Sequence, residues 1–236
     1  MKIAGLQKMT LLDYPGKVAC TVFLQGCNYR CPFCHNSGLL WGEPEDAISR
    51  EELLAFLKKR AGLLDAVCVT GGEPTLQREL PRLLEEIKAL GYLVKLDTNG
   101  SNPAMLQTLL EQGLVDYVAM DVKNCPGRYG ETVGVPDIPL EKETRSLKLL
   151  LSGSVDYELR TTCVEEFHTP EDAAAMGAWL ESLVPGVKPG KMFLQCFVDR
   201  DSVLRSGLHA PGREKLDKMR KALEPHCLSV SLRGVD

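Results

Sequence analysis

The stretch GCNYRCPFCHN, residues 26–36, decides both the fold and the chemistry of this chain. It places Cys27, Cys31 and Cys34 at the spacing C-x3-C-x2-C, directly after an apolar run at 18–24 that is typical of a β-strand. Thiolates are soft ligands that select zinc, copper(I) or iron–sulfur clusters. Because a cubane cluster normally takes four thiolates, a site with only these three would leave one iron open to another ligand.

Two other interpretations of the same residues stay open on spacing alone. Cys31 and Cys34 also form a zinc signature, which His35 would complete as a Cys3His site. A structural zinc site usually draws its ligands from two separated pairs, and the sequence contains no second C-x2-C, C-x4-C or H-x3-H. A redox dithiol is the third interpretation, because a C-x2-C before a helix favours the thiolate.

Composition limits the class of protein. The chain has 236 residues, of which 44% are hydrophobic and 25% charged, as is ordinary for a globular protein in water. A net charge of −4 gives no basic field that would attract nucleic acid or an anionic membrane. Since no signal core or membrane-spanning apolar run occurs, we expect a cytoplasmic protein. We predict one domain over 1–236, with a core at about 17–200 and a C-terminal extension at about 201–236.

Strand-like and helix-like segments alternate along the chain. Strands are predicted at 18–24, 66–70, 92–96, 115–120, 155–159 and 191–197, with an edge strand at 228–232. Helices are predicted to begin near 49, 80, 102, 142, 169 and 211. This alternation predicts an α/β fold with a parallel sheet. Polar residues follow the carboxyl ends of the strands, where both α/β barrels and open doubly wound sheets bind ligands.

The cysteine spacing, with Phe33 just before the third cysteine, resembles the cluster motif of radical S-adenosylmethionine (SAM) enzymes. The resemblance runs from TLLDYPGK, residues 10–17, to about Gln195, and it is closest to the glycyl-radical-enzyme activating proteins of the anaerobic ribonucleoside-triphosphate reductase type. It implies a [4Fe-4S] cluster on Cys27, Cys31 and Cys34, with SAM on the fourth iron. It also favours a partial (β/α)6 barrel of the TIM type over an open sheet.

The same resemblance assigns SAM contacts to the strand ends. Gly71, Gly72 and Glu73 match the family's Gly-Gly-Glu element, in which the glycines let the main chain approach the cofactor and the glutamate meets the SAM amine. Asp97 and Asp121 match carboxylates that bind a monovalent cation, although helix capping or solvation is the plainer alternative. The remaining predicted SAM contacts are Phe33, His35 (as a loop donor near the adenine), Asn99, Lys123, Arg160 and Gln195.

The implied function is an activase. Such an enzyme cleaves SAM reductively and uses the 5′-deoxyadenosyl radical to remove a hydrogen atom from a glycine of a partner glycyl-radical enzyme. The implied source of electrons is a low-potential donor such as flavodoxin or ferredoxin. Two other functions stay open: a radical SAM enzyme that acts on a small molecule, related to 7-carboxy-7-deazaguanine synthase, and a zinc-binding module without enzymatic activity.

Residues 124–139 form a stretch with three prolines and three glycines that is longer than the usual strand-to-helix connection of about 2–6 residues. We therefore predict a loop that contacts the partner protein through Arg128 and Tyr129. The other cysteines have no predicted chemistry. Those in apolar runs are typical of small buried residues, namely Cys20, Cys68, Cys163 and Cys196, while Cys125 and Cys227 receive no role.

Overall fold

A computed structural model of the chain describes residues 1–42, 47–153 and 155–235. Within these residues one sheet has eight strands, whose order in the sheet follows their order in the chain. The strands are β1 Ile3–Thr10, β2 Ala19–Leu24, β3 Ala66–Gly71, β4 Leu93–Thr98, β5 Tyr117–Asp121, β6 Asp156–Cys163, β7 Lys191–Cys196 and β8 Ser229–Arg233. The helices are α1 Arg50–Arg60, α2 Leu80–Ala89, α3 Pro103–Glu111, α4 Tyr129–Val133, α5 Glu141–Ser152, α6 Pro170–Ser182 and α7 Arg213–Leu223.

By their internal contacts these residues divide into two compact units. The N-terminal unit comprises 1–28 and 38–119, and the C-terminal unit comprises 29–37 and 120–236. No helix in the described parts of either unit is long and apolar enough to cross a membrane.

The N-terminal unit is built on three parallel strands. β2 pairs with β3, with Leu24 opposite Gly71, and β3 pairs with β4, with Val69 opposite Leu96. Because the strands are parallel, their carboxyl ends lie at the same edge of the sheet. β1 runs antiparallel along β2 and was not predicted, since its buried Ile3 and Ala4 are followed by exposed residues instead of a regular alternation.

The helices of this unit confirm the sequence-based predictions. α1 begins at the predicted capping box, in which Ser49 and Glu52 bond to each other's main-chain N–H. α2 buries its whole apolar stripe, which consists of Leu80, Leu83, Leu84 and Ile87. α3 begins at Asn102, whose side chain accepts a hydrogen bond from the Met105 N–H at 3.3 Å.

The C-terminal unit contains the parallel strands β6, β7 and β8. Leu159 lies opposite Met192, and Leu194 lies opposite Leu232, so the predicted edge strand near 228–232 is confirmed as β8. Arg233 holds this edge in place. Its guanidinium donates two hydrogen bonds of 2.9 Å to the buried Glu158 and lies 3.4 Å from the centre of the Phe193 ring.

The stretch 124–139 is not the open, irregular loop that its length predicted, although its contact with a partner stays a prediction. It contains a short 3-10 helix, Pro126–Arg128, followed by α4. Tyr129 is only 1% exposed, and Arg128 forms ion pairs with Glu131 and Asp172. The Val133 carbonyl accepts a hydrogen bond of 2.8 Å from the Arg30 N–H. The prediction of an irregular loop was wrong because the prolines and glycines that look irregular in sequence begin and end helices here.

We expect Gly134→Ala to be more destabilising than Gly113→Ala. Both glycines end helices with a positive φ, 66° at Gly134 and 64° at Gly113. The free-energy cost of forcing an alanine into this conformation should therefore be similar at the two positions. A Cβ at position 134 would lie 2.3 Å from the Arg30 carbonyl oxygen, whereas one at position 113 would meet nothing within 4 Å. Urea unfolding should therefore show a loss of about 1 kcal/mol for Gly113→Ala and about 2–4 kcal/mol for Gly134→Ala. Equal losses in the free energy of unfolding would mean that α4 does not support the cysteine segment, residues 26–36.

Candidate functional site

The first cysteine is positioned by close main-chain packing between the ends of β2 and β3. The Gly72 N–H donates to the Leu24 carbonyl at 2.9 Å, and the Glu73 N–H donates to the Gly26 carbonyl at 2.8 Å. A Cβ on Gly71 would lie 2.2 Å from the Leu24 oxygen, and one on Gly72 would lie 2.1 Å from the Gly26 oxygen. The two glycines are thus required by contacts within the protein, in addition to any room that they leave for a cofactor.

Glu73 joins the end of β3 to the end of β4. Its carboxylate, 1% exposed, accepts hydrogen bonds from the Thr75 N–H at 3.0 Å, the Thr98 hydroxyl at 2.7 Å and the Asn99 N–H at 2.6 Å. Burial raises the pKa of the Glu73 carboxyl, and these hydrogen bonds oppose the rise. The contact between Glu73 and the SAM amine stays a prediction, because here its oxygens bind the protein.

Asn99 lies beside the first cysteine. Its side-chain Nδ2 is 3.0 Å from Asn28 Oδ1 and 3.9 Å from Cys27 Sγ, and Ser101 also donates to Asn28 at 3.2 Å. The N-terminal unit therefore brings the predicted residues Cys27, Glu73 and Asn99 together. Sequence reasoning missed Asn28, Thr98 and Ser101, although the polar run that follows β4 was the signal that could have found the last two.

Asp97 has a partner that the sequence did not suggest. Lys95, on β4, is buried and donates to the Asp97 carboxylate. A lysine is rarely buried without an acidic partner, so the ion pair explains how β4 accommodates this side chain.

In the C-terminal unit, Cys31 and Cys34 are joined by a tight turn. The Cys34 N–H donates to the Cys31 carbonyl at 3.0 Å, and Cys31 is 8% exposed. The predicted SAM contact Phe33 is buried, with its ring centre 5.8 Å from that of Phe167 and 6.1 Å from that of His168. Phe33 thus anchors the turn through core packing.

His168 was missed by sequence reasoning. It is buried, and its Nε2 lies 2.8 Å from the Lys123 carbonyl oxygen while its Nδ1 accepts from the Val164 N–H at 3.1 Å. Burial lowers the pKa of His168. These partners fix a neutral ring with the hydrogen on Nε2, so the histidine is a structural support for Phe33 and for the end of β5.

The segment 197–205, after β7, holds the cysteine segment from another side. The ring of His35 stacks on Phe197 at 5.4 Å, and its Nε2 bonds to the Val198 carbonyl at 2.7 Å. The Arg205 N–H donates to the Pro32 carbonyl at 2.9 Å. The predicted position of His35 near an adenine is untested, and its observed partners are these protein groups.

Asp121, Lys123 and Arg160 form one ionic cluster. The Lys123 ammonium is 2.8 Å and the Arg160 Nε is 3.1 Å from the Asp121 carboxylate. Burial favours the neutral acid, but the two cations lower the pKa of Asp121 to about 2. Burial likewise lowers the pKa of Lys123, but Asp121 and Cys31 raise it above its ordinary value. The cluster therefore keeps a positive charge near the sulfur of Cys31.

Two predictions remain, the SAM contact of Gln195 and the cation at Asp97 and Asp121. Gln195 is exposed, on the face of β7 opposite the buried Met192 and Leu194. At Asp121, the negative charge that a monovalent cation would balance is already balanced by lysine and arginine. The cation stays a prediction.

The donor groups fit an iron–sulfur cluster, because cysteine thiolates are its usual ligands. The Asn99 amide beside Cys27 and the Lys123 ammonium near Cys31 would each stabilise thiolate charge.

Comparison with known proteins identifies the family. Residues 21–163 match the family model of the Radical SAM superfamily, and the chain belongs to this superfamily. It is accordingly an enzyme of radical SAM chemistry, which excludes the zinc-binding module without enzymatic activity.

The relatives include activating enzymes and 7-carboxy-7-deazaguanine synthases. A protein of Methanocaldococcus jannaschii that is named as a glycyl-radical enzyme activating enzyme is 30% identical over 244 residues, covering 99% of this chain and 96% of its own. The 7-carboxy-7-deazaguanine synthase of Neisseria meningitidis is 38% identical over 110 residues, 47% of this chain and 46% of its own. The pyruvate formate-lyase-activating enzyme of Clostridium pasteurianum is 32% identical over 128 residues, 52% of either chain.

Solved structures share the fold. A radical SAM methyltransferase from Sphaerobacter thermophilus aligns with a TM-score of 0.71 at 14% identity, over 95% of this chain and 68% of its own. A domain of pyruvate-formate lyase-activating enzyme from Bacteroides vulgatus gives a TM-score of 0.56 at 18% identity, over 72% of this chain and 99% of its own. This likeness confirms the α/β fold of the radical SAM type that the sequence predicted.

We expect Gly72→Ala to reduce iron binding, because the new Cβ displaces the main chain that carries Cys27. The clash at 2.1 Å is with backbone, so no side-chain movement can relieve it. Gly38→Ala is the matched control, since a Cβ there meets nothing within 4 Å. After anaerobic reconstitution, iron content should fall severalfold in Gly72→Ala and stay unchanged in Gly38→Ala. Full iron content in Gly72→Ala would contradict this account of the glycine.

Proposed function

We propose that the chain is an activase that generates a glycyl radical on a partner enzyme, and that the partner is an anaerobic ribonucleoside-triphosphate reductase. The observation that carries the proposal is the similarity to the Methanocaldococcus jannaschii protein, which extends over 99% of this chain and 96% of that one. This similarity includes the segment 197–205 that holds the cysteine turn.

In this proposal Cys27, Cys31 and Cys34 hold a [4Fe-4S] cluster with SAM on its fourth iron. When bound and reduced by the electron donor, the cluster would supply the one electron needed for reductive cleavage of the S–C5′ bond of SAM, the chemistry that yields methionine and a radical able to remove a hydrogen atom from the partner's glycine. The chain's own residues position and shield these groups. Asn99 donates toward Cys27 at 3.9 Å, and Lys123 provides positive charge near Cys31.

Exclusion of water is the second task of the chain. Phe33, Phe167 and His168 are all buried behind the turn between Cys31 and Cys34. A radical intermediate must be protected from side reactions, and a packed aromatic wall does this without supplying an acid or base. The site needs no proton transfer for a hydrogen-atom abstraction, which agrees with neutral His168 serving only as a support.

Two further components belong to the proposal. The electron donor is a low-potential flavodoxin or ferredoxin. The monovalent cation predicted at Asp97 and Asp121 also belongs to the proposal, because oxygen ligands suit a hard ion, but it would compete with the ion pairs that these carboxylates form with Lys95 and with Lys123 and Arg160. Titration calorimetry of SAM binding with and without K⁺ or Na⁺ tests the cation separately, and equal affinities would remove it while leaving the SAM site.

A small-molecule substrate is the second candidate. It is supported by the 38% identity to a 7-carboxy-7-deazaguanine synthase over 110 residues, although this match covers less than half of either chain. The two candidates differ in what they need, because one requires a protein partner and the other forms its product without one.

The test is anaerobic incubation of the reconstituted protein with SAM, a reductant and purified candidate glycyl-radical enzymes. Electron paramagnetic resonance should detect a glycyl radical on the partner. Cys31→Ala should abolish the signal, since two thiolates hold a cubane poorly. Cys68→Ala, a control in the buried core, should keep it at a stability cost of about 1 kcal/mol.

Either of two results would count against the activase. One is a normal radical yield from Cys31→Ala, which would remove the cysteine assignment. The other is a modified small-molecule product formed without any protein partner, together with no radical on any candidate enzyme.

A further inference from the structure

Glu143 is a buried carboxylate that none of the roles above uses. It stands in the first turn of α5 and is 1% exposed. Its Oε1 accepts a hydrogen bond from the hydroxyl of Tyr29, which is also buried. Tyr29 lies midway between Cys27 and Cys31 in sequence. Helix α5 thus contacts a residue that lies between two of the cysteines.

This polar contact is costly for the fold. Among the described residues, Glu143 Oε2 and the hydroxyl of Tyr129 are buried without a hydrogen-bond partner. Each such atom loses its hydrogen bonds to water on folding and does not gain a full replacement. For Glu143, the partial positive charge at the amino end of α5 offsets only part of this loss. A leucine at position 143 would avoid the cost. Departures from good packing of this kind concentrate at functional sites.

The main chain at Tyr29 and Arg30 is held by the end of α4 and by the side chain of Arg30 itself. The Arg30 N–H donates to the Val133 carbonyl at 2.8 Å, and the Arg30 guanidinium donates to the Tyr29 carbonyl at 2.7 Å. Gly134 packs on the Arg30 carbonyl so closely that it leaves no room for a Cβ. The bond from the Tyr29 hydroxyl to Glu143 adds a side-chain contact that helps to orient the residues immediately before Cys31.

Tyr129 belongs to the same buried group. Burial raises the pKa of Tyr129, and the neighbouring charges of Glu143 and Cys31 raise it further. The charge of Glu143 therefore acts on the hydroxyl of Tyr129 as well as on that of Tyr29.

We propose that Glu143 is a positioning residue: through the Tyr29 hydroxyl it fixes residues 29–31 and keeps the Cys31 thiol buried in the orientation that a cluster requires. The inference rests on the proposed function only in taking Cys31 as a ligand. The hydrogen bond between Tyr29 and Glu143 does not depend on a cluster, so the proposal is tested on the metal-free protein.

The experiment measures how fast Cys31 is alkylated in the metal-free full-length chain, by mass spectrometry of iodoacetamide-treated protein. Tyr29→Phe and Glu143→Leu should each raise the rate at Cys31 about tenfold, because each removes a hydrogen bond to a carboxylate. Glu143→Gln keeps an acceptor for the Tyr29 hydroxyl and should stay within about twofold of the unaltered protein. Cys68, in the core, serves as the internal control in every sample.

A double variant, Tyr29→Phe with Glu143→Leu, should alkylate no faster than either single variant, since both remove one contact. Unchanged Cys31 rates in Tyr29→Phe would overturn the proposal. So would a parallel rise at Cys68, which would assign Glu143 to global stability. Because the readout needs no cluster, its failure leaves the activase proposal standing, and failure of the radical assay leaves this inference standing.

Discussion

The direct packing of main chain on main chain at Gly71 and Gly72 is the constraint on which the N-terminal unit depends. The parallel register puts Leu24 opposite Gly71, so β2 and β3 end together and the chain leaving β2 must pass over the chain leaving β3. Only residues without a Cβ permit the observed approach. That approach sets where Cys27 leaves the sheet. The Glu73 carboxylate then accepts a hydrogen bond from the Asn99 N–H, so the end of β3 is also tied to the end of β4.

In the C-terminal unit the cysteines are held mainly by side-chain contacts. The turn between Cys31 and Cys34 lacks regular secondary structure, and three contacts fix it: Phe33 packs on Phe167, His35 stacks on Phe197, and Arg30 bonds to the end of α4. Each contact comes from a different part of the chain. This short segment is thereby held by its surroundings in addition to its own hydrogen bond between Cys34 and Cys31.

The sequence predicted most of the fold because apolar periodicity reflects burial. The stripe on α2 and the apolar runs of β2 to β7 are buried as expected. β1 was not predicted because it is an edge strand with only one short buried patch. Residues 124–139 were misjudged because proline and glycine mark helix ends as well as loops. The burial of Tyr129 is a tertiary effect that local sequence does not express.

The sequence motifs led to the candidate site residues but not to the groups that support them. The cysteines, the paired glycines and Asp121 stand at strand ends in recognisable patterns. The groups that hold them, such as Thr98, His168 and Glu143, are single polar residues distant in sequence from what they contact. A single buried polar residue has no spacing signal, so its partner is known only from the folded chain.

The measurement that tests the central claim most directly is Mössbauer spectroscopy of the anaerobic protein reconstituted with ⁵⁷Fe. A cluster held by Cys27, Cys31 and Cys34 has one iron without a protein thiolate. The account predicts that this iron alone changes its isomer shift and quadrupole splitting when SAM is added. A spectrum that SAM leaves unaltered, or a protein that takes up zinc in place of iron, would contradict it.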